Sequence, residues 1–202
     1  MILNIHDLKN KFNCNFDGVL HIGAHYGEEY ITYKKLNISP IIFIEALPNT
    51  YETLKSRVGE ECICIQTAIG NTEGFIDMYV DVLDECGSSS VLPPKLHLQQ
   101  YPKVFFEHKK NIPITKVDSL DIPQCNFMNI DIQGYELESL KGSEKYLNNV
   151  NYIMIEVNRD ELYENCSYVD EIDQFLTKYG FVRVETDWAG NTWGDAFYMK
   201  KN

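Results

Sequence analysis

Two rhythms of apolar and polar positions alternate along this chain. Short runs of consecutive apolar residues, as expected of strands buried on both faces, are separated by stretches with apolar residues three and four apart, as expected of amphipathic helices. Gly18-Val19-Leu20-His21-Ile22-Gly23-Ala24 is the first apolar run. A helical stretch follows over residues 28–36, with Glu28 and Glu29 in its first turn, where the helix dipole favours acids. Ile41-Ile42-Phe43-Ile44 reads as a second buried strand, closed by Glu45 and Pro48. Asn49 or Thr50 can cap the next helix, which carries Tyr51, Leu54 and Val58 at helical spacing. Residues 62–69 read as a third strand that ends at the Gly70-Asn71 turn.

The second half repeats this order. Residues 126–132 form a strand broken by Gly134, and residues 135–146 a helix with Leu137, Leu140 and Leu147 on one side. Residues 151–157 are another strand, and residues 168–179 a helix with Val169, Ile172, Phe175 and Leu176 as its apolar stripe, stopped at Gly180. Residues 181–186 and 196–199 close the chain as two strands joined by a Gly190-Asn191 turn. Strands separated by single helices need crossovers, and crossovers give a parallel sheet covered on both faces. The pattern therefore predicts a doubly wound α/β fold with an antiparallel hairpin at one edge. Residues 72–121 interrupt the rhythm. Within them, residues 75–80 and 112–117 suggest added antiparallel strands around a Ser-, Pro- and His-containing segment, and a long irregular insertion of this kind points to a functional lid.

At 202 residues, the chain is expected to form one domain over residues 1–202. Its net charge of −12, from 18 basic and 30 acidic residues, argues against a nucleic-acid partner, since phosphate backbones are held by clustered Lys and Arg. The Lys109-Lys110 pair with Lys103 is too small to reverse that. No apolar run approaches the ~20 residues of a membrane span, and the first residues lack the charged-then-apolar order of a secretory signal. The cysteines, at 14, 62, 64, 86, 125 and 166, include no Cys-x-x-Cys. Reduced thiols in a cytoplasmic protein are the expectation.

Candidate chemistry begins in the turn after the first strand, His21-Ile22-Gly23-Ala24-His25-Tyr26-Gly27. Glycines there allow close backbone approach, and the helix beyond offers free N–H groups to a carboxylate or phosphate. A purely structural turn would look the same. Glu45, about twenty residues further on at a strand end, is placed to accept hydrogen bonds from ribose hydroxyls. Together they favour an adenosine-containing cofactor. The turn lacks the full Gly-x-Gly-x-x-Gly of dinucleotide sites, and no Gly-Lys-Ser or Gly-Lys-Thr marks a triphosphate site.

Four stretches are more specific. Val19-Leu20-His21-Ile22-Gly23-Ala24-His25-Tyr26-Gly27, Phe43-Ile44-Glu45-Ala46-Leu47-Pro48, Phe127-Met128-Asn129-Ile130-Asp131-Ile132-Gln133-Gly134-Tyr135-Glu136 with Leu140-Lys141-Gly142, and Ile155-Glu156-Val157 recur in one family. With them, the chain resembles the FkbM-type S-adenosylmethionine-dependent methyltransferases, whose signature is the Ile-Asp-x-x-Gly-x-Glu junction followed by Leu-x-Gly. The resemblance implies a Rossmann-like fold with a mostly parallel seven-stranded sheet, an antiparallel edge hairpin, and an insertion between the third and fourth core strands. It also implies S-adenosyl-L-methionine as cofactor. His21, Gly23, Ala24, His25 and Gly27 would lie at its methionine end, Glu45 and Ala46 at the ribose, Ala68 at the adenine, and Asp131 at the sulfonium. Ser89, in the Ser88-Ser89-Ser90 run, would line the cofactor or acceptor pocket unless it is a plain turn. The family usually has Asp in place of His21, near the cofactor's amino group, and Glu in place of Gln133.

Methyl transfer to a hydroxyl requires a group to take the hydroxyl proton. Asp131 is the first candidate, with a helix cap as its other reading, Glu156 the second, and a histidine, His25, His97 or His108, the third. A divalent ion between the two is conceivable, but no metal is expected. The resemblance implies a sugar or glycan acceptor, such as a rhamnose or fucose hydroxyl. His97 and His108 flank an aromatic patch, Tyr101, Phe105 and Phe106, that suits such a ring or would pack a lid onto the core, and Trp193, with Trp188 near the closing hairpin, could serve the same end or simply bury area. The alternatives are a methyltransferase of a small-metabolite hydroxyl or amine, and a non-catalytic or NAD-linked binding domain.

Overall fold

The computed structural model describes residues 1–82 and 87–201; Cys86, one of the six thiols, lies outside the described residues. The first half comprises α1 (Ile5–Phe12), β1 (Val19–Ile22), α2 (Tyr30–Lys35), β2 (Ile41–Glu45), α3 (Pro48–Val58) and β3 (Ile63–Gln66). The insertion carries β4 (Ala68–Ile69), β5 (Gly74–Asp81), α4 (His97–Gln100) and β6 (Phe106–Thr115). The second half comprises β7 (Phe127–Ile130), α5 (Glu136–Lys141), β8 (Tyr152–Asn158), α6 (Val169–Thr177), β9 (Phe181–Ala189) and β10 (Trp193–Lys200).

The main sheet has seven strands in the order β3-β2-β1-β7-β8-β10-β9. The first five run parallel, while β10 lies antiparallel to both β8 and β9. Strand order reverses between β1 and β7, and open sheets of this kind place ligands beyond the carboxyl ends of the strands at such a point.

Strand alternation sorts the core into two faces. Leu20, Ile22, Ile42, Ile44, Met128, Ile130, Ile153 and Ile155 pack against Leu140 and Leu147 and against Ile172 and Leu176 of α6. Val19, Ile41, Phe43, Phe127, Met154 and Phe197 face the other way, onto Ile5 and Leu8 of α1, Tyr33 of α2, and Leu54 and Val58 of α3. Fully burying each of these aliphatic or aromatic side chains contributes roughly 1.5–3 kcal/mol. The face toward α1–α3 turns polar at its upper end. Along its strands the same alternation brings His21, Glu45, Asn129, Glu156 and Asp195 inward, and all five are buried.

Several elements differ from the expectation. Residues 62–69 are not one strand. The chain leaves the main sheet at Thr67, whose N–H donates to the Glu45 carbonyl (3.1 Å) and whose hydroxyl reaches the Pro113 carbonyl (3.1 Å). It then enters a second, three-stranded sheet of order β4-β6-β5. The expected helix over 135–146 ends at Lys141 and resumes as a short 3-10 turn, Tyr146–Asn149. At the break stands Gly142, where a Cβ would lie 2.0 Å from the Gly70 carbonyl oxygen, so the chain there presses directly on the residue after β4. Helix α1 was not among the expected elements, although its signal is present. The Asn4 side chain accepts from the N–H groups of His6 and Asp7, Asn13 ends the helix in the left-handed region, and Ile5 and Leu8 are buried three residues apart.

The insertion contains the antiparallel β5–β6 pair, with β6 beginning earlier than expected, at Phe106. Its middle segment docks on the β8–α6 connection, where the N–H groups of Lys95 and His97 both donate to the Leu162 carbonyl (3.0 and 3.1 Å). Among the described residues, no helix is long and apolar enough to cross a membrane.

Candidate active site

Extending the β1, β2, β7 and β8 pairings by one residue aligns Glu45, Gly23, Asp131 and Glu156 across the sheet's upper rim, and Asp195 pairs with Glu156 in register. Gly23 is where this row closes up. Its φ is +79°, and a Cβ would lie 1.8 Å from the Asp131 carbonyl oxygen, so only glycine lets the β1 turn pass the β7 end.

A cavity of about 410 Å³ opens over this row. That volume is in the range of small-molecule and cofactor sites. One end is polar, walled by His21, Gly23, Ala24, His25, Glu28, Glu29, Asp131 and Gln133. The other is an apolar shelf of Ala46, Leu47, Ala68, Ile69, Met78 and Val91. Glu45 stands between the two, and Ser89 also lines the wall. No Lys or Arg lines the cavity among the described residues.

Glu45 is held by the backbone. Its carboxylate accepts from the N–H groups of His25 (3.0 Å) and Leu47 (2.9 Å), and His25 adopts a φ of +49° in the turn that delivers its N–H. Burial pushes the Glu45 carboxyl above its ordinary range, against the pull of these N–H donors. Two N–H bonds leave lone pairs of both oxygens free to accept from ligand hydroxyls.

The opposite wall is organised by Gln133. Its backbone sits in the left-handed region, φ +55°, a conformation that costs a non-glycine residue about 1 kcal/mol. From there its amide Nε2 donates to both Asp131 Oδ1 (2.8 Å) and Glu156 Oε2 (2.9 Å). Its Oε1 accepts from the Tyr163 hydroxyl (2.9 Å), and its carbonyl from the Ser90 hydroxyl (2.7 Å). Glu136 caps the same loop, accepting from the N–H groups of Ile132 and Gly134 (both 3.0 Å). The Ile-Asp-x-x-Gly-x-Glu signature thus has a physical meaning here. The aspartate reaches the rim, and the glutamate pins the loop behind it.

Carboxylates crowd this wall. Burial, reinforced by Asp131, Glu136 and Asp195, pushes Glu156 well above the usual carboxylate range. Burial raises Glu136 to about 7 and Asp195 to about 6. Asp195 also accepts from the N–H groups of Ile2 and Leu3, the latter at 2.8 Å. Oε1 of Glu156 and Oδ1 of Asp195 are buried without a hydrogen-bond partner, which adds to the cost of charging either group there. Among the described residues, no set of three or more His, Cys, Asp and Glu side chains could hold a metal ion.

The structure therefore gathers His21, Gly23, Ala24, His25, Glu45, Ala46, Ala68, Ser89 and Asp131 around one cavity. Gly27 is not on its wall; its N–H closes the turn by donating to the Ala24 carbonyl (2.8 Å). Glu156 lies behind Gln133, buried rather than lining the space. The three proposed acceptor contacts lie outside the lining. His97 is buried among the rings of Tyr101, Phe106 and Tyr163, at centroid distances of 4.8, 5.3 and 5.4 Å. The Trp193 indole donates to the Tyr101 hydroxyl (2.9 Å), fastening α4 to β10. His108 lies on β6 beside Asp77, 3.4 Å away. Gln133, Glu28, Glu29 and Tyr163 were not read from sequence as site residues. The signal for Gln133 is the left-handed turn after the β7 strand, and for Glu29 the acidic first turn of the helix.

The methyltransferase FkbM domain family matches residues 21–183 of this chain. No curated protein matches it. Among solved structures, the fold is similar to the FkbM methyltransferase of Methylobacillus flagellatus KT, with a TM-score of 0.59 and 12% identity over 91% of this chain and 43% of that one. The chain therefore spans less than half the length of that protein. It is also similar to the 1,6-didemethyltoxoflavin-N1-methyltransferase of Burkholderia thailandensis, solved with 1,6-didemethyltoxoflavin and S-adenosylhomocysteine (TM-score 0.53, 12% identity, 98% of this chain and 76% of that one). The N-methyltransferase NodS of Bradyrhizobium japonicum WM9 gives a TM-score of 0.56 at 9% identity, over 98% and 94% of the two chains. At these identities the likeness to the solved structures is one of fold.

Proposed function

This chain belongs to the FkbM methyltransferase family, and on that premise we propose that it is an S-adenosylmethionine-dependent O-methyltransferase of a sugar or glycan hydroxyl, such as that of a rhamnose or fucose unit. The observation that carries the reading is the cavity over the β1–β7 switch point, with Glu45 on one wall and Asp131 on the other. Its two ends suit the cofactor. The apolar shelf around Ala46, Leu47, Ala68 and Met78 fits an adenine ring, Glu45 can accept the ribose hydroxyls, and the turn from His21 to His25 fits the amino-acid end. S-adenosylmethionine, when bound, supplies a methyl group on a cationic sulfur.

The chain's own groups then have distinct tasks. Asp131 takes the proton of the acceptor hydroxyl as the hydroxyl attacks. Burial and its acidic neighbours favour the neutral form of Glu156, and Asp131, which lines the cavity where Glu156 does not, is the better placed proton acceptor. Gln133 fixes the direction of both carboxyls, so Glu156 acts through Gln133 as a positioning residue. The lining carries four carboxylates, Glu28, Glu29, Glu45 and Asp131, against the single ammonium of Met1 beside Asp131 (3.8 Å), an acidic balance that favours a cationic donor and an uncharged acceptor. Sugar hydroxyls meet that condition.

Methyl transfer to a panel of free deoxyhexoses and neutral oligosaccharides, with and without chelator, tests the proposal. Chelator-insensitive transfer to a sugar hydroxyl is the expected result. Transfer to none of the sugars, with turnover on an amine or a small-metabolite hydroxyl instead, would overturn the acceptor assignment.

A further inference from the structure

The amino-acid end of S-adenosylmethionine carries an ammonium group, and an ammonium taken out of water needs an anionic partner. On the wall below the Gly23–Ala24 turn stands His21, which cannot serve as one. Its side chain is 3% exposed, and burial lowers its pKa below the ordinary 6.5, so the ring is neutral at pH 7. Both ring nitrogens face a buried network. Asn129 Nδ2 lies 3.3 Å from His21 Nε2 and donates to the Tyr33 hydroxyl at 2.8 Å, while Tyr33 Oη lies 3.2 Å from His21 Nδ1. An amide donor at Nε2 assigns the ring proton to Nδ1. His21 thus presents an N–H, not a lone pair, on the side where Nδ1 and Glu29 approach each other.

The remaining carboxylates of the polar end are already engaged. Glu28 contacts His25 Nδ1 at 2.9 Å, Glu45 accepts two backbone N–H groups, and Asp131 Oδ1 accepts from Gln133. Glu29 differs. Its side chain lines the cavity, is 23% exposed, and meets His21 Nδ1 only at 3.9 Å, beyond hydrogen-bond reach.

We propose that Glu29, standing over the His21–Tyr33–Asn129 network, is the residue that binds the ammonium of the cofactor's amino-acid end. The inference rests on the S-adenosylmethionine reading and assigns this chain's own solution to its histidine at position 21. His21 acts as a positioning residue: engaged with Tyr33 and Asn129 and kept neutral by burial, it stands beside the Glu29 carboxylate without neutralising it. The Met1 ammonium on the same wall lies 3.8 Å from Asp131 Oδ2, so that carboxylate too has a cationic neighbour.

Calorimetry on the full chain tests this with two probes, S-adenosylhomocysteine and 5′-methylthioadenosine, which lacks the amino-acid portion. In Glu29→Gln, S-adenosylhomocysteine affinity should fall about ten- to a hundredfold, the scale of one charged hydrogen bond, while 5′-methylthioadenosine affinity stays at the wild-type value. Equal loss of both probes, or loss of neither, overturns the assignment of Glu29. Wild-type protein that binds neither probe overturns the cofactor reading and this inference with it. Wild-type binding of both with an unchanged Glu29→Gln variant overturns this inference alone.

Discussion

Burial raises the carboxyls on both walls of the cavity, but their neighbours pull in opposite directions. On the β2 side, Glu45 stands alone and is held by two backbone N–H donors that favour its charged form. On the β7–β8 side, Asp131, Glu136, Glu156 and Asp195 crowd together, a side-chain amide ties two of them, and burial with mutual repulsion drives Glu156 toward its protonated form. Backbone donors are fixed in place and suit a wall that holds a ligand. A carboxyl cluster that shares too few protons suits a wall that moves one. One sheet edge thus supports both binding and proton transfer, with Gly23 as the point where the walls meet.

Gly23→Ala should have the largest effect. A methyl group at 1.8 Å from the Asp131 carbonyl oxygen, with φ at +79°, must force the walls apart. The expected cost is roughly 3 kcal/mol or more, read as a lowered melting temperature together with loss of S-adenosylhomocysteine binding. Next is Asp131→Asn, which removes the proton acceptor and leaves the shape. Turnover should fall on the order of 10²–10⁴-fold while S-adenosylhomocysteine affinity stays within about threefold. Survival of turnover within about threefold would assign Asp131 to loop structure instead. Glu45→Gln acts on the binding wall. It should weaken S-adenosylhomocysteine and 5′-methylthioadenosine alike, by about tenfold, because both carry the ribose.

The contrast between the walls was legible in the sequence only in part. The apolar runs and the carboxylates ending them located the sheet, the rim, Glu45 and Asp131, because strand periodicity carries that information locally. Gln133 was legible as a departure from a pattern but not as a bridge, since its role depends on a left-handed backbone and on Tyr163, thirty residues away in sequence. The split of residues 62–69 at Thr67 was hidden for a similar reason. Cys62 to Ile69 has the alternation of one strand, and only the second sheet, built from an insertion forty residues downstream, divides it. His97 and Trp193 read as acceptor contacts because aromatic polar side chains serve binding and packing equally well. Their partners, Tyr163 and Tyr101, give them a docking role in the structure.

The smallest expected effect sharpens the proton-sharing side of the comparison. Glu136 is raised from 4.5 to about 7 and Asp195 from 3.8 to about 6, so the folded chain keeps these protons to higher pH than the unfolded chain does. Their contribution to stability is full below the unfolded values and is lost as pH rises toward 7. Thermal melts between pH 4.5 and 7 should therefore show a steeper decline for wild type than for Glu136→Gln, by a few degrees. Parallel melting curves would mean that Glu136 is ionised throughout.

The central claim is tested most directly by a crystal structure of the chain with S-adenosylhomocysteine. The account predicts the ribose on Glu45, the adenine against Ala68 and Met78, the amino group at Glu29, and the thioether sulfur facing the Asp131 carboxylate across the space left for a methyl group. A product molecule seated away from the β1–β7 switch point, or one with its sulfur turned from Asp131, would contradict it.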